Sequence, residues 1–276
     1  MNQLPRAKIF IEGRYRKLSR ELPQTIFYCP DCKGHPRRRR KCARCEGFGK
    51  LTRESVQELV AWVAGKAFGT RKNKFHGAGR EDVDVRMLGA GRPFVLELIG
   101  PKNLEVDLAE VEAEINRRNE GSLEIQGLHW TEKTRVAQLK ETPHAKEYEA
   151  LVHVDGDFDP ARVSEFLGER IEITQHTPTR VAHRRAAKDR VRWVEFQAIE
   201  PDPKEAGHLR VRMLTQHGTY VKEVLSGEEG RTNPSLADLL GVPCTCVSLD
   251  VLAILDGEGN PEPELLAPPT FGAGLS

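Results

Sequence analysis

The segment that decides the fold of this chain spans residues 75–86 and reads Phe75-His76-Gly77-Ala78-Gly79-Arg80-Glu81-Asp82-Val83-Asp84-Val85-Arg86. Its glycines favour a tight turn, because glycine adopts backbone angles that other residues avoid. The last four residues alternate between apolar and charged side chains, which predicts a strand. Asp82 and Asp84 would then lie on the same face of that strand. No Lys-Ser or Lys-Thr pair follows the glycines, which excludes a phosphate-binding loop of the P-loop type.

Short strands and helices surround this segment in an irregular order. Alternation of apolar and polar residues predicts strands at residues 8–11, 93–99, 122–130, 148–154, 191–199, 209–214 and 247–255. Capping residues and apolar periodicity predict helices at residues 55–67, 107–115, 159–168 and 220–225. Because strands and helices do not alternate regularly, the pattern predicts an α+β fold rather than a series of βαβ units.

The composition excludes several classes of protein. The 276 residues are 38% hydrophobic and 30% charged, which is ordinary for a globular chain. No run approaches the roughly 20 apolar residues that span a bilayer. Residues 1–12 lack the apolar centre and cleavage site of a signal peptide. These features predict a cytoplasmic protein that has no membrane partner.

Positive charge is concentrated in two runs although the formal net charge is only +1. The first run consists of Arg37, Arg38, Arg39, Arg40 and Lys41. The second consists of Arg180, His183, Arg184, Arg185, Lys188, Arg190 and Arg192. Such runs suit contacts with phosphates, because neutralising a phosphate releases its counterions. A solvated charged face is the alternative interpretation of each run.

Four of the six cysteines have the spacing of a metal site. They are Cys29, Cys32, Cys42 and Cys45, two C-x-x-C pairs separated by nine residues. This arrangement can supply four thiolates to one tetrahedral Zn²⁺, with no position left for water, so the site would be structural. Two disulfides or four free core cysteines are the alternatives, and a cytoplasmic location disfavours disulfides. Cys244 and Cys246 alternate in a strand-like segment and are expected to be small buried hydrophobes rather than a second metal site.

The sequence Gly79-Arg80-Glu81-Asp82 resembles the approach to the catalytic aspartate in pseudouridine synthases, where one family carries Gly-Arg-Thr-Asp. The chain around it is similar to archaeal and eukaryotic tRNA pseudouridine synthases of the Pus ten type. The similar segments are residues 13–25, 75–94, 177–186 and 218–235. This resemblance implies a catalytic fold with a mixed, mostly antiparallel central sheet, flanked by helices and loops and carrying a small zinc-binding insertion.

The resemblance also implies the domain organisation. Residues 1–256 would form the catalytic domain, with two lobes of roughly 1–135 and 136–256. The zinc-binding module would be residues 27–50, and residues 257–276 would be a loosely ordered tail, because four of the 17 prolines lie there. Members of the family usually carry an N-terminal accessory domain of the THUMP type, which the printed sequence does not include. We therefore expect the two basic runs to hold the RNA.

The resemblance assigns roles to particular residues. Asp82 would act on the nucleoside, either by covalent attack or by removing a ribose proton. Tyr148, in Lys-x-Tyr-x-Ala, would stack on the flipped base, and Lys222 would favour the ionised carboxylate. Arg80 would hold the base out of the RNA helix. The expected substrate-binding residues are Tyr148, Tyr220, Arg184, Arg185 and Leu239, the last of which would otherwise serve in a helix core.

The function implied is the isomerisation of uridine to pseudouridine at positions 54, 55 or both in the T-arm of tRNA. It needs no organic cofactor and no obligatory protein partner, so a monomer is expected. A non-catalytic, zinc-containing RNA-binding protein is one alternative. A zinc-ribbon factor that reads DNA is another, but the expected recognition helix is missing from the sequence. The combination of Asp82, Tyr148 and Lys222 favours the enzyme, because binding alone requires none of them.

Overall fold

The computed structural model describes residues 7–182 and 185–255, which form two compact units that meet in sequence between Thr142 and Pro143. The tail predicted at 257–276 and Arg184 lie outside the described residues. Each unit contains a sheet of antiparallel strands with helices beside it, so the predicted α+β class is confirmed. Within the described ranges, no helix is long and apolar enough to cross a membrane.

The first unit contains four strands and four helices. In chain order they are β1 (Lys8–Lys17), α1 (Pro36–Arg39), α2 (Val56–Ala67), β2 (Lys72–Gly77), β3 (Arg86–Ile99), α3 (Leu108–Arg118), β4 (Leu123–Thr131) and α4 (Lys133–Glu141). β1 lies between β4 and β3, and β2 pairs with the opposite edge of β3. The buried side chains of β1 and β3 form much of the core of this unit.

The two main helices of this unit begin where the sequence predicts. The Ser55 hydroxyl accepts a hydrogen bond from the Glu58 amide, and the Asp107 carboxylate accepts from Ala109 and Glu110. Each cap satisfies amides that the first turn of a helix leaves unpaired. The predicted starts of α2 and α3 are therefore confirmed.

A break in the pairing of β1 with β3 shapes the region around residue 82. Tyr15 pairs with Arg92, but Lys17 pairs with Met87, so four residues of β3 bulge out. Gly91 allows this bulge, since it has a φ of 76° and a side chain there would lie 2.7 Å from the Tyr15 carbonyl. The bulge brings the end of β1 beside the segment that precedes β3.

The second unit is built on a six-stranded antiparallel arrangement. Its elements are β5 (Lys146–Val154), α5 (Ala161–Ser164), β6 (Arg170–His176), a 3-10 turn (Thr179–Val181), β7 (Asp189–Pro201), β8 (His208–Thr215), α6 (Val221–Ser226), β9 (Thr232–Asn233), α7 (Leu236–Leu240) and β10 (Cys244–Ile254). The strand order is β10-β5-β8-β7-β6-β9. The predicted pairing of residues 191–199 with 209–214 is confirmed by β7 and β8.

Several secondary-structure predictions made from the sequence differ from the structure. Residues 83–85 form a turn, and β3 begins only at Arg86, so the strand predicted from Val83 is wrong at its start. Two residues of the second basic run, Arg190 and Arg192, lie on β7, within the strand predicted at residues 191–199 or directly before it. β2, β6 and α4 were not predicted. β2 and α4 carry few buried side chains, so the apolar periodicity that reveals an element is weak in both.

Candidate active site and metal centre

The backbone around Asp82 is held by a buried lysine. Lys17 is fully buried at the end of β1, and its Nζ donates to the carbonyls of Leu22 at 2.8 Å, Asp82 at 3.1 Å and Val83 at 2.8 Å. An ammonium has three N–H donors, and here three carbonyls surround it. Because two of those carbonyls belong to the turn at Asp82, they are drawn inward, which explains why the turn does not pair as a strand.

Burial sets the chemistry of this lysine. It lowers the pKa of Lys17 from its ordinary value of 10.5 to about 8, although the Glu81 carboxylate acts in the opposite direction. The ammonium is therefore retained at neutral pH but is lost more readily than that of an exposed lysine.

Glu81, next to Asp82, lies in a second buried network. Its carboxylate lies 2.8 Å from Arg92 Nε, with both side chains 1% exposed, and accepts from the Tyr15 hydroxyl at 2.8 Å. Gln24 donates to the Tyr15 oxygen at 2.8 Å and to the Gly79 carbonyl at 3.0 Å. Burial and then the Glu81 carboxylate raise the pKa of the Tyr15 hydroxyl well above its ordinary value, so it remains a donor.

The two neighbouring carboxylates therefore have different surroundings. The Glu81 side chain points into the protein and is neutralised by Arg92, whereas Asp82 is half-buried and Asp84 is exposed. Arg92 also donates to the Ala78 carbonyl at 2.6 Å, so both sides of the glycine turn are anchored. Arg80 is exposed on the same turn. A half-buried carboxylate on a backbone held in this way can act as a nucleophile or a base.

Tyr148 lies in the second unit, on the central strand β5. It pairs with Met213 of β8 and Val251 of β10 and is half-buried. It shares the face of the strand that carries the buried residues Ala150 and Val152, since side chains two apart point the same way. The backbone of Tyr148 is therefore held by a strand that has a partner on each side.

Lys222 and Tyr220 lie at the start of α6. Gln175, which is fully buried on β6, accepts from the Tyr220 amide at 2.9 Å and donates to the Tyr220 carbonyl at 3.0 Å. The same Nε2 also donates to the Thr232 hydroxyl at 3.1 Å. Gln175 therefore fixes the residue that caps the helix, and the half-buried Lys222 follows two positions later.

The basic segment after β6 is tied to the same helix. Arg180 Nε donates to Glu223 Oε1 at 2.6 Å and Arg180 Nη2 donates to Oε2 at 3.1 Å, and Glu223 is buried. Such a two-point contact fixes orientation as well as distance. Arg185 is exposed, and Leu239 is half-buried on α7 beside the fully buried Leu240. Arg180 therefore has a structural contact that the charge run alone does not reveal.

The four cysteines of the spaced pairs meet in the first unit. All four Sγ atoms lie within 4.8 Å of one another, with Cys29 and Cys42 at 3.7 Å and Cys32 and Cys45 at 3.6 Å. Tetrahedral zinc with Zn–S bonds of about 2.3 Å requires sulfurs about 3.8 Å apart, so the thiols fit this ion. The arginine run 37–41 is exposed between the pairs.

The C-terminal cysteines are separate from this cluster. Cys244 is buried at the start of β10, where burial raises the pKa of its thiol to about 11, and Cys246 is half-buried. The expectation of a small hydrophobic role is confirmed for Cys244. Among the described residues, the only group of three or more potential metal ligands is the four-cysteine cluster.

Several residues that hold the site could not be assigned from the sequence. Lys17, Arg92 and Gln175 were not predicted, and each acts on a segment distant in sequence. Their neighbours in the sequence give no signal for this role, because Lys17 follows Arg16 and Gln175 precedes His176, so both lie among other polar residues. A buried polar side chain needs a hydrogen-bond partner, but the local sequence does not identify that partner.

Comparison with known proteins shows the family to which this sequence is similar. A model of the family described as "Pus10, C-terminal" matches residues 10–255. The chain is 44% identical over 91% of its length to the "tRNA pseudouridine synthase Pus10" of Methanopyrus kandleri and covers 57% of that protein. It is 44% identical over 92% of its length to the protein of the same name from Halorubrum lacusprofundi and covers 59% of it.

The chain thus spans about three fifths of the length of these curated relatives. Among solved structures, a chain in the crystal structure of a Cbf5-Nop10-Gar1 complex matches 72% of this chain at 22% identity, covering 45% of that chain, with a TM-score of 0.40. Because the family model extends from β1 through β10, the resemblance seen at residues 79–82 is confirmed along the whole described fold, and this chain belongs to the Pus10 C-terminal family.

Proposed function

We propose that this chain is a tRNA pseudouridine synthase that isomerises uridine to pseudouridine at position 54, position 55 or both in the T-arm. The observation that carries the proposal is the 44% identity, over nine tenths of the chain, to proteins that bear the name of this activity. The reaction detaches uracil, turns it and rejoins it through C5. It involves no net oxidation or reduction, and we infer that no organic cofactor is used.

Asp82 is our candidate for the catalytic carboxylate. Its half-buried position and the backbone contacts of Lys17 support this choice, since a reacting group must be held close to its productive geometry. Glu81 is committed to Arg92 and Tyr15, and Asp84 is exposed in the turn. Of the three neighbouring carboxylates, Asp82 is therefore the one best suited to attack the ribose or remove a ribose proton.

The other assigned residues complete the proposal. The Tyr148 ring would stack on the extruded base, because a base inside a helix cannot be reached by the enzyme. Lys222 would supply positive charge that favours the ionised form of the carboxylate. The exposed Arg80 would hydrogen-bond where the base has left the stack. Tyr220 and Leu239 would border the base.

Recognition of the T-arm would depend on shape and charge. Arg184 and Arg185 belong to the basic segment whose start is anchored by Arg180 and Glu223. Together with residues 37–41 they would contact phosphates, so affinity should fall steeply with salt. None of these side chains forms an obvious reader of base edges, so tRNA shape would matter more than sequence.

The four-cysteine cluster would hold a structural zinc ion. The sulfur separations of 3.6 and 3.7 Å support this assignment. Four thiolates fill a tetrahedral zinc ion completely, so the metal would organise residues 27–50 and would not take part in the reaction.

The experiment that tests the activity incubates the purified protein with an unmodified tRNA transcript and maps pseudouridine by carbodiimide treatment and primer extension. Stops at position 54, 55 or both are expected. Asp82→Asn should abolish them while tRNA affinity is kept, and Asp84→Asn, the matched neighbouring change, should retain them. Tight tRNA binding by the unaltered protein without any product would instead favour the non-catalytic RNA-binding protein.

A further inference from the structure

The four-cysteine module, residues 27–50, exposes an unusual number of aromatic rings. Four large aromatic side chains are classed as exposed in the part of the chain that the structure describes, and three of them, Phe27, Tyr28 and Phe48, belong to this module. Tyr28 is 53% exposed and Phe48 is 51% exposed. Core packing cannot explain rings with half of their surface in solvent, and their concentration in 24 residues points to a binding surface.

The backbone of the module fixes these rings in place. Its two ends pair with each other, with Tyr28 opposite Lys50, and the Leu51 amide donates to the Phe27 carbonyl at 2.8 Å. The Tyr28 ring lies directly over Gly34, where a side-chain carbon would be only 2.5 Å from it. The Lys50 ammonium is 5.4 Å from the centre of the Phe48 ring. The exposed rings are therefore held by a backbone whose two ends pair with each other and whose four cysteines cluster together.

The positive charge of the module indicates which class of ligand it would bind. Residues 27–50 contain eight lysines and arginines and two acidic residues, a formal net charge of +6, whereas the whole chain carries +1. Four thiolates around one Zn²⁺ would reduce this value only to +4. The arginine run 37–41 is exposed, and the Arg39 side chain packs on Gly49, beside Phe48. Exposed rings next to positive charge match a ligand with flat faces and a phosphate backbone.

The fourth exposed aromatic residue, Trp62, has different surroundings from the three rings of the module. Trp62 on α2 is 61% exposed and borders a groove of about 370 Å³ between α2 and α3. That groove is lined by four acidic residues, Glu105, Asp107, Glu110 and Glu114, and by two basic ones, Lys66 and Arg118, and the Lys66 ammonium lies 5.4 Å from the centre of the Trp62 ring. Acidic side chains repel phosphates, so this exposed ring has a cation beside it but borders a groove whose acidic residues outnumber its basic ones, unlike the cationic module.

We propose that the module binds unpaired RNA bases, which stack on Tyr28 and Phe48 while the arginines of 37–41 neutralise the flanking phosphates. The proposed RNA binding does not depend on the proposed function. The one part that rests on it is the inference that the physiological RNA is a tRNA. Stacking on a ring tolerates any base, because every base has a flat face. The surface therefore adds affinity for single-stranded or looped RNA without reading its sequence.

The test measures fluorescence anisotropy of the zinc-loaded full chain with two labelled probes. One is a single-stranded oligoribonucleotide of about ten nucleotides, within the range of such sites. The other is a fully paired RNA duplex. Replacing both rings, with Tyr28→Leu and Phe48→Leu, should weaken single-strand binding about 5- to 150-fold for each base that stacks. The dependence of log affinity on log salt should keep its slope, because no charge is changed.

Charge variants and ring-preserving variants separate the two contributions. Arg38→Ala should reduce the single-strand salt slope by about 0.7. Tyr28→Trp and Phe48→Trp keep the rings and should retain affinity, which distinguishes loss of stacking from loss of the fold, and zinc content reports on the fold directly. Trp62→Leu is the matched control and should bind both probes as the unaltered protein does.

Three outcomes would overturn the proposal. They are equal single-strand affinity in the double leucine variant, an equal loss on the duplex, and an equal loss in Trp62→Leu. The first would assign the rings to a protein partner instead. Because binding is measured without turnover, absence of pseudouridine formation would refute the proposed function and leave this result standing.

Discussion

Glu81 and Asp82 are adjacent acidic residues that should respond in opposite ways to loss of charge. Glu81→Gln keeps the size of the side chain but leaves the buried Arg92 guanidinium, 2.8 Å away, without its carboxylate. Removing one partner of a buried ion pair costs roughly 3–5 kcal/mol, because the remaining charge stays desolvated. The amide oxygen can still accept from Tyr15 at that site, so the lost charge pair dominates. We expect the free energy of unfolding to fall by about 3–5 kcal/mol.

Asp82→Asn should behave differently. Asp82 is only half-buried, whereas Glu81 is buried, so its neutralisation should change the unfolding free energy much less, by about 0.5 kcal/mol. Its effect should appear in catalysis instead. The pair of variants therefore separates a carboxylate that holds the loop from one that reacts.

The assay is urea unfolding followed by far-ultraviolet circular dichroism, with pseudouridine formation measured on the same preparations below the unfolding transition. Adding Arg92→Met to Glu81→Gln should recover part of the lost stability, with a coupling energy of roughly 0.5–3 kcal/mol. A loss below about 1 kcal/mol in Glu81→Gln, or no coupling to Arg92, would refute the view that this pair anchors the loop.

Three further predictions concern the supporting contacts. The protein should contain about one zinc ion per chain by inductively coupled plasma mass spectrometry, and Cys29→Ser should remove most of it; zinc retained at full stoichiometry in that variant would contradict the assignment. Because burial lowers the pKa of Lys17 to about 8, the folded state releases this proton before the unfolded chain does, so its unfavourable charge burial is fully present below pH 8 and is relieved as pH rises towards 10.5. The unfolding free energy relative to Lys17→Met should therefore rise by about 1 kcal/mol between pH 7.5 and pH 9, and a flat difference in urea titrations would disprove it. Gln175→Leu should cost roughly 2–6 kcal/mol, since two backbone groups of Tyr220 lose a partner at about 1–3 kcal/mol each, and an unchanged melting curve would contradict that role.

The sequence alone specified the features that depend on neighbours along the chain. Ser55 and Asp107 predicted two helix starts, because a capping side chain acts within three residues of itself. The spacing of Cys29, Cys32, Cys42 and Cys45 predicted that their sulfurs would meet, and they do. The segment at residues 79–82, together with the longer similar stretches, was sufficient to indicate the family.

The tertiary structure decided which of the polar residues hold the candidate site. Lys17 and Asp82 are 65 residues apart in the chain, and Gln175 and Tyr220 are 45 apart. The sequence at Val83 predicted a strand, yet the carbonyls at Asp82 and Val83 turn towards Lys17 instead. A lysine in an alternating strand has the same local pattern whether its ammonium reaches solvent or three buried carbonyls. Only the register of β1 with β3, and the bulge allowed by Gly91, determines which of the two it meets.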